Sequence, residues 1–209
     1  YNYKSLRAGL LSRGHKFKTN SDTEVLVHMY EENGVNMVRS LDGMFAFILY
    51  DSKTGNYIAA REPFGIKPLY YSESDGILYV SSEIKGLAGL DVSQIYYLKP
   101  GHYLTRKGEF PYFSLNPNNL HKTSIDILIG GIRKRFDEAV RKMVDTSLPI
   151  CVYFSGGIDS AAVLATARKY HQNVTAITFG LNSGLDRIIA KKYCQENNIP
   201  LIIAEPPDI

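Results

Sequence analysis

Apolar residues along the chain follow two patterns. Up to about residue 40 they recur at helical spacing and then switch to short alternating or continuous runs. Beyond residue 124 strand and helix patterns alternate regularly. Leu6, Leu10 and Leu11 predict a short helix closed by Arg13-Gly14-His15. Ser21-Asp22-Thr23-Glu24 predicts the start of a second helix as a capping box, in which the Ser21 hydroxyl and the Glu24 carboxylate satisfy each other's backbone donors. Val25, Leu26, Met29 and Tyr30 give that helix its apolar face, and Gly34 ends it. Strands are expected at Met44 to Tyr50, Tyr57 to Ala60, Leu69 to Tyr71 and Ile77 to Val80, with turns at Gly55-Asn56 and Ser74-Asp75-Gly76. Met44 to Leu49 is apolar at every position, so both faces of that strand are expected to be covered, as in a layered sandwich.

Between two of these strands, Arg61 to Pro68 reads as a stiff turn, with Pro63 and Pro68 fixing φ and Gly65 free to take a positive value. Pro100 to Leu104 is one more strand, and the Asn- and Pro-rich stretch after Ser114 marks a boundary. The organisation expected is a first domain over residues 1–114, a linker over 115–123 and a second domain over 124–209. The second domain opens with a long amphipathic helix, started by Thr123-Ser124, whose Leu128, Ile132, Phe136, Val140 and Met143 are expected to pack on the next sheet. There follow a strand at Ile150 to Phe154, a helix to Tyr170, a strand at Val174 to Phe179, a helix at Asp186 to Asn198 and a strand at Leu201 to Ala204. This alternation predicts a doubly wound parallel sheet with ligands at the carboxyl ends of its strands.

One such end carries Phe154-Ser155-Gly156-Gly157-Ile158-Asp159-Ser160, between an apolar strand and an Ala-rich helix. Two adjacent glycines allow positive φ and close backbone approach, and the helix N-terminus adds N–H donors and the positive end of a dipole. That suits a phosphate. The loop lacks the Gly-Lys-Ser/Thr ending of a Walker A motif and offers the carboxylate of Asp159 instead, which implies a divalent metal beside the phosphates. A Gly-rich turn that merely closes a βα unit is the bland alternative.

Composition narrows the partners. The 209 residues are 44% hydrophobic, enough for one large or two small domains, and the formal charge is +3. Arg133-Lys134-Arg135 and Arg141-Lys142 fall at helical spacing and read as a solvated face, so no nucleic-acid partner is expected. Cys151, in an apolar strand, and Cys194, in a helical pattern, have neither disulfide nor metal spacing and read as reduced core thiols. No signal peptide and no membrane-length apolar segment is present, which makes the cytoplasm the expected compartment and excludes a membrane partner. His15, His28, His102, His121 and His171 stand singly and read as structural. The sequence opens at Tyr1 and stops at Ile209 just after a strand pattern, and is expected to be a piece of something longer.

Ser155-Gly156-Gly157-x-Asp159-Ser160 after a buried strand resembles the pyrophosphate loop of the N-type ATP pyrophosphatases. Ser21-Asp22-Thr23-Glu24-Val25, Leu41-Asp42-Gly43-Met44-Phe45-Ala46-Phe47, Arg61-x-x-x-Gly65-Ile66-Lys67-Pro68-Leu69-Tyr70-Tyr71 and Ser82-Glu83-Ile84-Lys85 resemble the glutaminase domain of glutamine-hydrolysing asparagine synthetases. The two resemblances occur in that family's order and together cover essentially the whole chain. The fold they imply is α/β: a partial Ntn-type α/β/β/α sandwich followed by a doubly wound parallel sheet of the ATP pyrophosphatase (adenine nucleotide α-hydrolase-like) type.

The resemblance also implies roles. Ser155, Gly156, Gly157 and Ser160 would bind pyrophosphate oxygens of ATP, and Asp159 would ligate Mg²⁺. Phe154 and Phe179 would line the adenine pocket, Gly180 would belong to the same ATP site, and Asp22 would receive the α-amino group of glutamine. Asp186 reads as a helix cap. The implied activity is synthesis of asparagine from aspartate, glutamine and ATP through β-aspartyl-AMP, by an enzyme of which a homodimer is one assembly. The family's N-terminal cysteine nucleophile and Asn-Gly oxyanion pair have no match in this chain, so the chain as given is expected at most to bind ATP. Within the architecture the alternatives are β-lactam synthetases and other amidotransferases. From a different class, the alternative is a non-catalytic binding protein derived from the enzyme.

Overall fold

The computed structural model describes residues 1–90, 94–115, 124–180 and 184–205. They fall into two compact units, Tyr1–Leu120 and His121–Ile209. Of the expected linker, all but Leu115 lies outside the described residues.

The first unit begins with helices α1 (Tyr3–Ser12) and α2 (Asp22–Asn33) and a 3₁₀ segment, Gly34–Ser40. Its strands are β1 (Ala46–Asp51), β2 (Asn56–Arg61), β3 (Tyr70–Ser74), β4 (Ile77–Ser81), β5 (Tyr96–Tyr97), β6 (His102–Thr105) and β7 (Gly108–Pro111). They form two antiparallel sheets, β1-β2-β6-β7 and β4-β3-β5. Ile58 and Ala60 of β2 point to a core shared with Leu10 of α1, Val25 and Met29 of α2, and Met37 and Val38. Tyr57 and Ala59 point the other way, to Leu69, Leu98 and Leu104 with Tyr71, Leu78 and Val80 packed around them. Helix layer, sheet and second sheet are three layers of the expected sandwich.

The strand covered on both faces is therefore β2, not the Met44 to Leu49 run. In β1, Phe47 and Leu49 face the helix layer, while Ile48 and Tyr50 stay 49% and 63% exposed. The reason is position: β1 is an edge strand among the described residues, and the second sheet packs on β2 and β6.

The turn after β2 is built on a buried arginine. Arg61, 1% exposed, donates from Nε to the Lys67 carbonyl (2.5 Å), from Nη1 to Leu98 (2.9 Å) and from Nη2 to Gly65 (2.6 Å). The Glu62 carboxylate accepts from the Phe64 and Lys67 N–H groups at 3.0 and 2.7 Å. Gly65 takes φ +68, and a Cβ there would come within 2.8 Å of Pro100, so both its backbone angle and its surroundings require glycine.

The start of α2 departs from the capping box. Ser21 is the N-cap, but its hydroxyl accepts from Thr23 N–H (3.1 Å), and its own N–H goes to the Thr19 hydroxyl. Glu24 turns to the preceding loop and accepts from Lys18 N–H (2.7 Å), Thr19 N–H (2.7 Å) and the Thr19 hydroxyl (2.5 Å). Three donors outside the helix outcompete the single one at the cap.

The second unit runs α3 (Ile125–Met143), β8 (Ile150–Tyr153), α4 (Ile158–Tyr170), β9 (Val174–Phe179), α5 (Leu185–Glu196) and β10 (Leu201–Ala204). The sheet is parallel with β9 central and β8 and β10 beside it, the order that strand–helix–strand crossovers build. Its core joins Val140 and Val144 at the end of α3, Phe154, Leu164 and Ala167 of α4, Val174 and Ala176 of β9, and Ala190 and Cys194 of α5.

Two expectations fail here. Leu128, Ile132 and Met143 of α3 are exposed and only Val140 of the expected stripe is buried, because α3 meets the core through its C-terminal turns and through α4 rather than along its length. Cys151 is exposed, since strand alternation sends Ile150 and Val152 to the core and Cys151, with Tyr153, to the opposite sheet face. Cys194 is buried as expected.

Candidate functional site

The geometry of the Ser155 to Ser160 loop follows from its sequence. β8 ends by burying Phe154, whose N–H donates to the Ile177 carbonyl on β9 at 2.7 Å. The chain then turns at Gly156, φ +81, where a Cβ would lie 3.0 Å from Ile189 Cβ and 3.1 Å from the Asp186 carbonyl oxygen of α5. Close packing of this turn on α5 excludes any side chain. Gly157, at φ −76, is the N-cap of α4 and supplies no side-chain cap.

Two hydroxyls face each other across the loop, Ser155 Oγ and Ser160 Oγ at 3.2 Å, and Ser160 donates to the Gly157 carbonyl at 3.0 Å. The N–H groups of Ile158, Asp159 and Ser160, in the first turn of α4, have no acceptor within the helix. Asp159 stands exposed in that turn and is ready to share a cation with an anion held by those donors.

Beside the loop is a cavity of about 510 Å³ lined by Tyr153, Phe154, Ser155, Ile177, Thr178, Phe179 and Asp186. Phe154 and Phe179 differ within it. Phe154 is a core side chain with its ring 5.1 Å from Tyr193, whereas Phe179 is 58% exposed with its ring 5.5 Å from Tyr153. Gly180 follows at φ +127. Asp186 is not a cap: Gly184 holds that position, and Asp186 sits in the first turn of α5, favourable to the helix dipole.

Sequence reasoning missed two residues here. Arg187, 5% exposed, donates from Nη1 to the Gly180 carbonyl (3.0 Å) and from Nη2 to Glu205 (3.0 Å), and so ties the end of β9 to the segment after β10. Its signal was present, because Arg187, Ala190 and Cys194 form the buried i, i+3, i+7 stripe of α5. Thr178 Oγ1 is buried at the same strand end and has no hydrogen-bond partner among the described residues, and no sequence pattern announces it.

In the first unit, Asp22 opens α2, exposed, with long contacts to the Ser21 and Thr23 hydroxyls (3.5 and 3.4 Å). It borders a cavity of about 760 Å³ whose walls include Asn2, Leu6, Leu41, Met44 and Lys67. A carboxylate at the rim of a mixed polar and apolar cavity is suited to a small ammonium group.

The histidines also depart from expectation. His15, in the turn after α1, and His28, on α2, come together with their Nδ1 atoms 3.1 Å apart, next to Glu31. They are distant in sequence and match no metal motif; the only local signal is the i, i+3 pair His28 and Glu31 on one helix face.

Residues 1–102 match the family model described as glutamine amidotransferase domain, and residues 131–205 the model described as asparagine synthase. The chain is 39% identical over 184 residues to a glutamine-hydrolyzing asparagine synthetase of Sandersonia aurantiaca, covering 84% of this chain and 34% of that protein. It is 40% identical over 178 residues to the Triphysaria versicolor and the Arabidopsis thaliana 3 proteins of the same name, each covering 81% of this chain and 29% of the relative. The chain thus spans about a third of the length of the curated relatives it matches. Among solved structures, the glutamine phosphoribosylpyrophosphate amidotransferase of B. subtilis is similar at a TM-score of 0.47 and 19% identity, over 97% of this chain and 43% of that one.

Proposed function

Because this chain belongs to the glutamine-hydrolysing asparagine synthetase family, we propose that it serves the ATP-dependent synthesis of asparagine from aspartate and glutamine, its second unit holding the nucleotide. The observation that carries the reading is the loop at the end of β8. It combines a backbone turn that only glycine can make, two facing hydroxyls, unused N–H donors at a helix start and one exposed carboxylate.

In this reading Ser155, Gly156, Gly157 and Ser160 hold pyrophosphate oxygens, Phe154 and Phe179 border the adenine, and Gly180 belongs to the same ATP site. A Mg²⁺ ion fits the exposed carboxylate of Asp159, where it would compensate phosphate charge. An oxygen of the aspartate β-carboxylate attacks the α-phosphorus, pyrophosphate leaves, and β-aspartyl-AMP forms. Ammonia released from glutamine then attacks the acyl carbon and expels AMP. The chain's own contribution is to position the pyrophosphate and offer donors to the oxygens on which negative charge grows. Asp22 takes the α-amino group of glutamine in the first unit. The cytoplasm as compartment and a homodimer as assembly belong to the same proposal. Among the described residues no helix is long and apolar enough to cross a membrane. Relatives named as asparagine synthetases favour aspartate over the acceptors of β-lactam synthetases or other amidotransferases, and favour an enzyme over a non-catalytic derivative.

Calorimetric titration of the chain with ATP, with and without Mg²⁺, tests the reading. Wild type is expected to bind Mg-ATP about tenfold more tightly than ATP alone, the size of one charge-assisted contact. Asp159→Ala should lose that increment at an unchanged melting temperature, since the side chain is exposed. Identical titrations for wild type and variant would remove Asp159 from the metal role.

A further inference from the structure

We propose that His15, His28 and Glu31 bind one divalent transition-metal ion of the zinc class, in the first unit and independently of the nucleotide loop. The three ligand atoms form a compact triangle. His15 Nδ1 to His28 Nδ1 is 3.1 Å, His28 Nδ1 to Glu31 Oε2 is 2.9 Å and His15 Nδ1 to Glu31 Oε2 is 3.5 Å. Two ligands of a tetrahedral Zn²⁺, each at about 2.0–2.2 Å from the metal, stand about 3.3–3.5 Å apart. The observed spacing therefore reaches a zinc site with movements of a few tenths of an ångström.

The outer contacts point the same way. His15 Nε2 lies 2.9 Å from Glu32 Oε1, and His28 Nε2 lies 3.7 Å from Glu24 Oε1. A carboxylate next to Nε2 holds the proton there and leaves the Nδ1 lone pair for the centre of the triangle, the usual outer arrangement of a metal-bound imidazole. At His15 the 2.9 Å contact to Glu32 does this; His28 Nδ1 and Glu31 Oε2 complete a group of three ligand atoms lying 2.9 to 3.5 Å apart, which a cation between them would stabilise.

The rings are held before any ligand arrives. Phe17 packs edge to face on His28 at 4.5 Å and is itself covered by the Arg7 guanidinium at 4.2 Å. Arg13 donates to the Glu32 oxygen that faces His15, at 2.8 Å. Three carboxylates, Glu24, Glu31 and Glu32, stand around the two rings. Glu31 is about half exposed, which gives an ion a path in and leaves the fourth position to water. Borderline nitrogen ligands with one carboxylate suit Zn²⁺ and Co²⁺ better than Mg²⁺ or Ca²⁺. The ion would join the loop after α1 to the middle of α2.

The test uses the full 209-residue chain, stripped of metal by a chelator, in a Cys151→Ser background so that the exposed thiol does not compete. Calorimetric titration with Zn²⁺ should show one equivalent bound, and Co²⁺ should give the intense visible absorption of a tetrahedral centre. Zn²⁺ should also raise the melting temperature of the first unit. Glu31→Gln, on the exposed face and harmless to the core, should weaken Zn²⁺ about tenfold, and the His15→Gln/His28→Gln double variant about a hundredfold or more. Should the double variant fail to fold by circular dichroism, Glu31→Gln alone decides. Absence of a stoichiometric Zn²⁺ isotherm for wild type, or affinities equal in wild type and Glu31→Gln, overturns the proposal.

Discussion

The turn at Arg61 to Pro68 and the loop at Ser155 to Ser160 are both Gly-containing links after a strand, both dense in polar groups, and they resolve those groups in opposite ways. At the first, a buried guanidinium spends its donors on three backbone carbonyls, and Glu62 accepts from two backbone N–H groups. At the second, the donors at the start of α4 and the exposed carboxylate of Asp159 have no backbone partner among the described residues. A buried polar cluster engaged by the backbone is closed to a ligand, and its role is to fix a turn. One whose capacity is unused, on a frame that only glycine permits, is ready to bind. Engagement by the backbone, rather than density of charge, distinguishes the scaffold turn from the candidate site in this chain.

Breaking the saturated turn should give the largest effect. Arg61→Met keeps length and apolar contact but leaves the Lys67, Gly65 and Leu98 carbonyls without their donor in a buried setting. Losing charge-assisted bonds of this kind is expected to cost on the order of 3 kcal/mol or more. Hydrogen exchange should show amides of β2 and the Leu98 region opening far more readily, while amides of β8 and β9 and any nucleotide affinity stay unchanged. Uniform loosening of both units would mean that the turn is not a local scaffold.

The two adjacent glycines sharpen the comparison from the other side. Gly156→Ala places a Cβ 3.0 Å from Ile189 Cβ at φ +81, and is expected to cost about 1–3 kcal/mol and to disrupt the loop. Gly157→Ala meets only Ser155 Oγ, at 3.4 Å, with φ −76, and should leave the stability within about 0.5 kcal/mol of wild type, with a melting temperature close to it. If the loop holds phosphates, Gly157→Ala should nevertheless weaken Mg-ATP, because the added methyl crowds the approach to the backbone donors. Thermal melts and nucleotide titrations of the two variants separate a glycine needed by the fold from one needed by the ligand. Equal melting temperatures would contradict the packing of Gly156 on α5.

What could be read from the sequence was mostly local. The positive φ of Gly65 and of Gly156, the N-cap position of Ser21, though not its expected exchange with Glu24, and the strand–helix alternation of the second unit each depend on a few neighbouring residues and appear as expected. What could not be read depends on partners distant in sequence. The apolar run of β1 does not reveal that the second sheet packs on β2 and β6 instead. Tyr96-Tyr97 is too short for periodicity and becomes a strand only by pairing with Tyr70 and Tyr71. Cys151 looks like core in an apolar run until alternation assigns its face. His15 and His28 meet because the turn after α1 folds back on α2, which no spacing rule encodes. In the candidate nucleotide site the loop was visible, but Arg187 behind it emerges only when the buried stripe of α5 is aligned with the end of β9.

Glu24 and Asp159 offer the finest form of the comparison, since each is a carboxylate in the first turn of a helix, one saturated and one open. Hydrogen bonds from the Lys18 backbone N–H, first, and then from the Thr19 hydroxyl hold the Glu24 carboxyl at about 2, below its ordinary 4.5. A carboxylate whose value is depressed by folding contributes stability that is fully present above the ordinary value and is lost as pH falls through the folded one. The window is therefore about pH 4.5 down to about 2. Wild type should lose melting temperature across that window in excess of Glu24→Gln, which keeps one acceptor oxygen but cannot ionise. At neutral pH the variant should be the less stable of the two, and the curves should converge as pH approaches the folded value. Asp159→Asn, at an exposed side chain, should leave the melting temperature at neutral pH unchanged. A gap between wild type and Glu24→Gln that stays constant from neutral pH to the bottom of the window would show that the loop at Lys18 and Thr19 is held by shape rather than by the charge of Glu24.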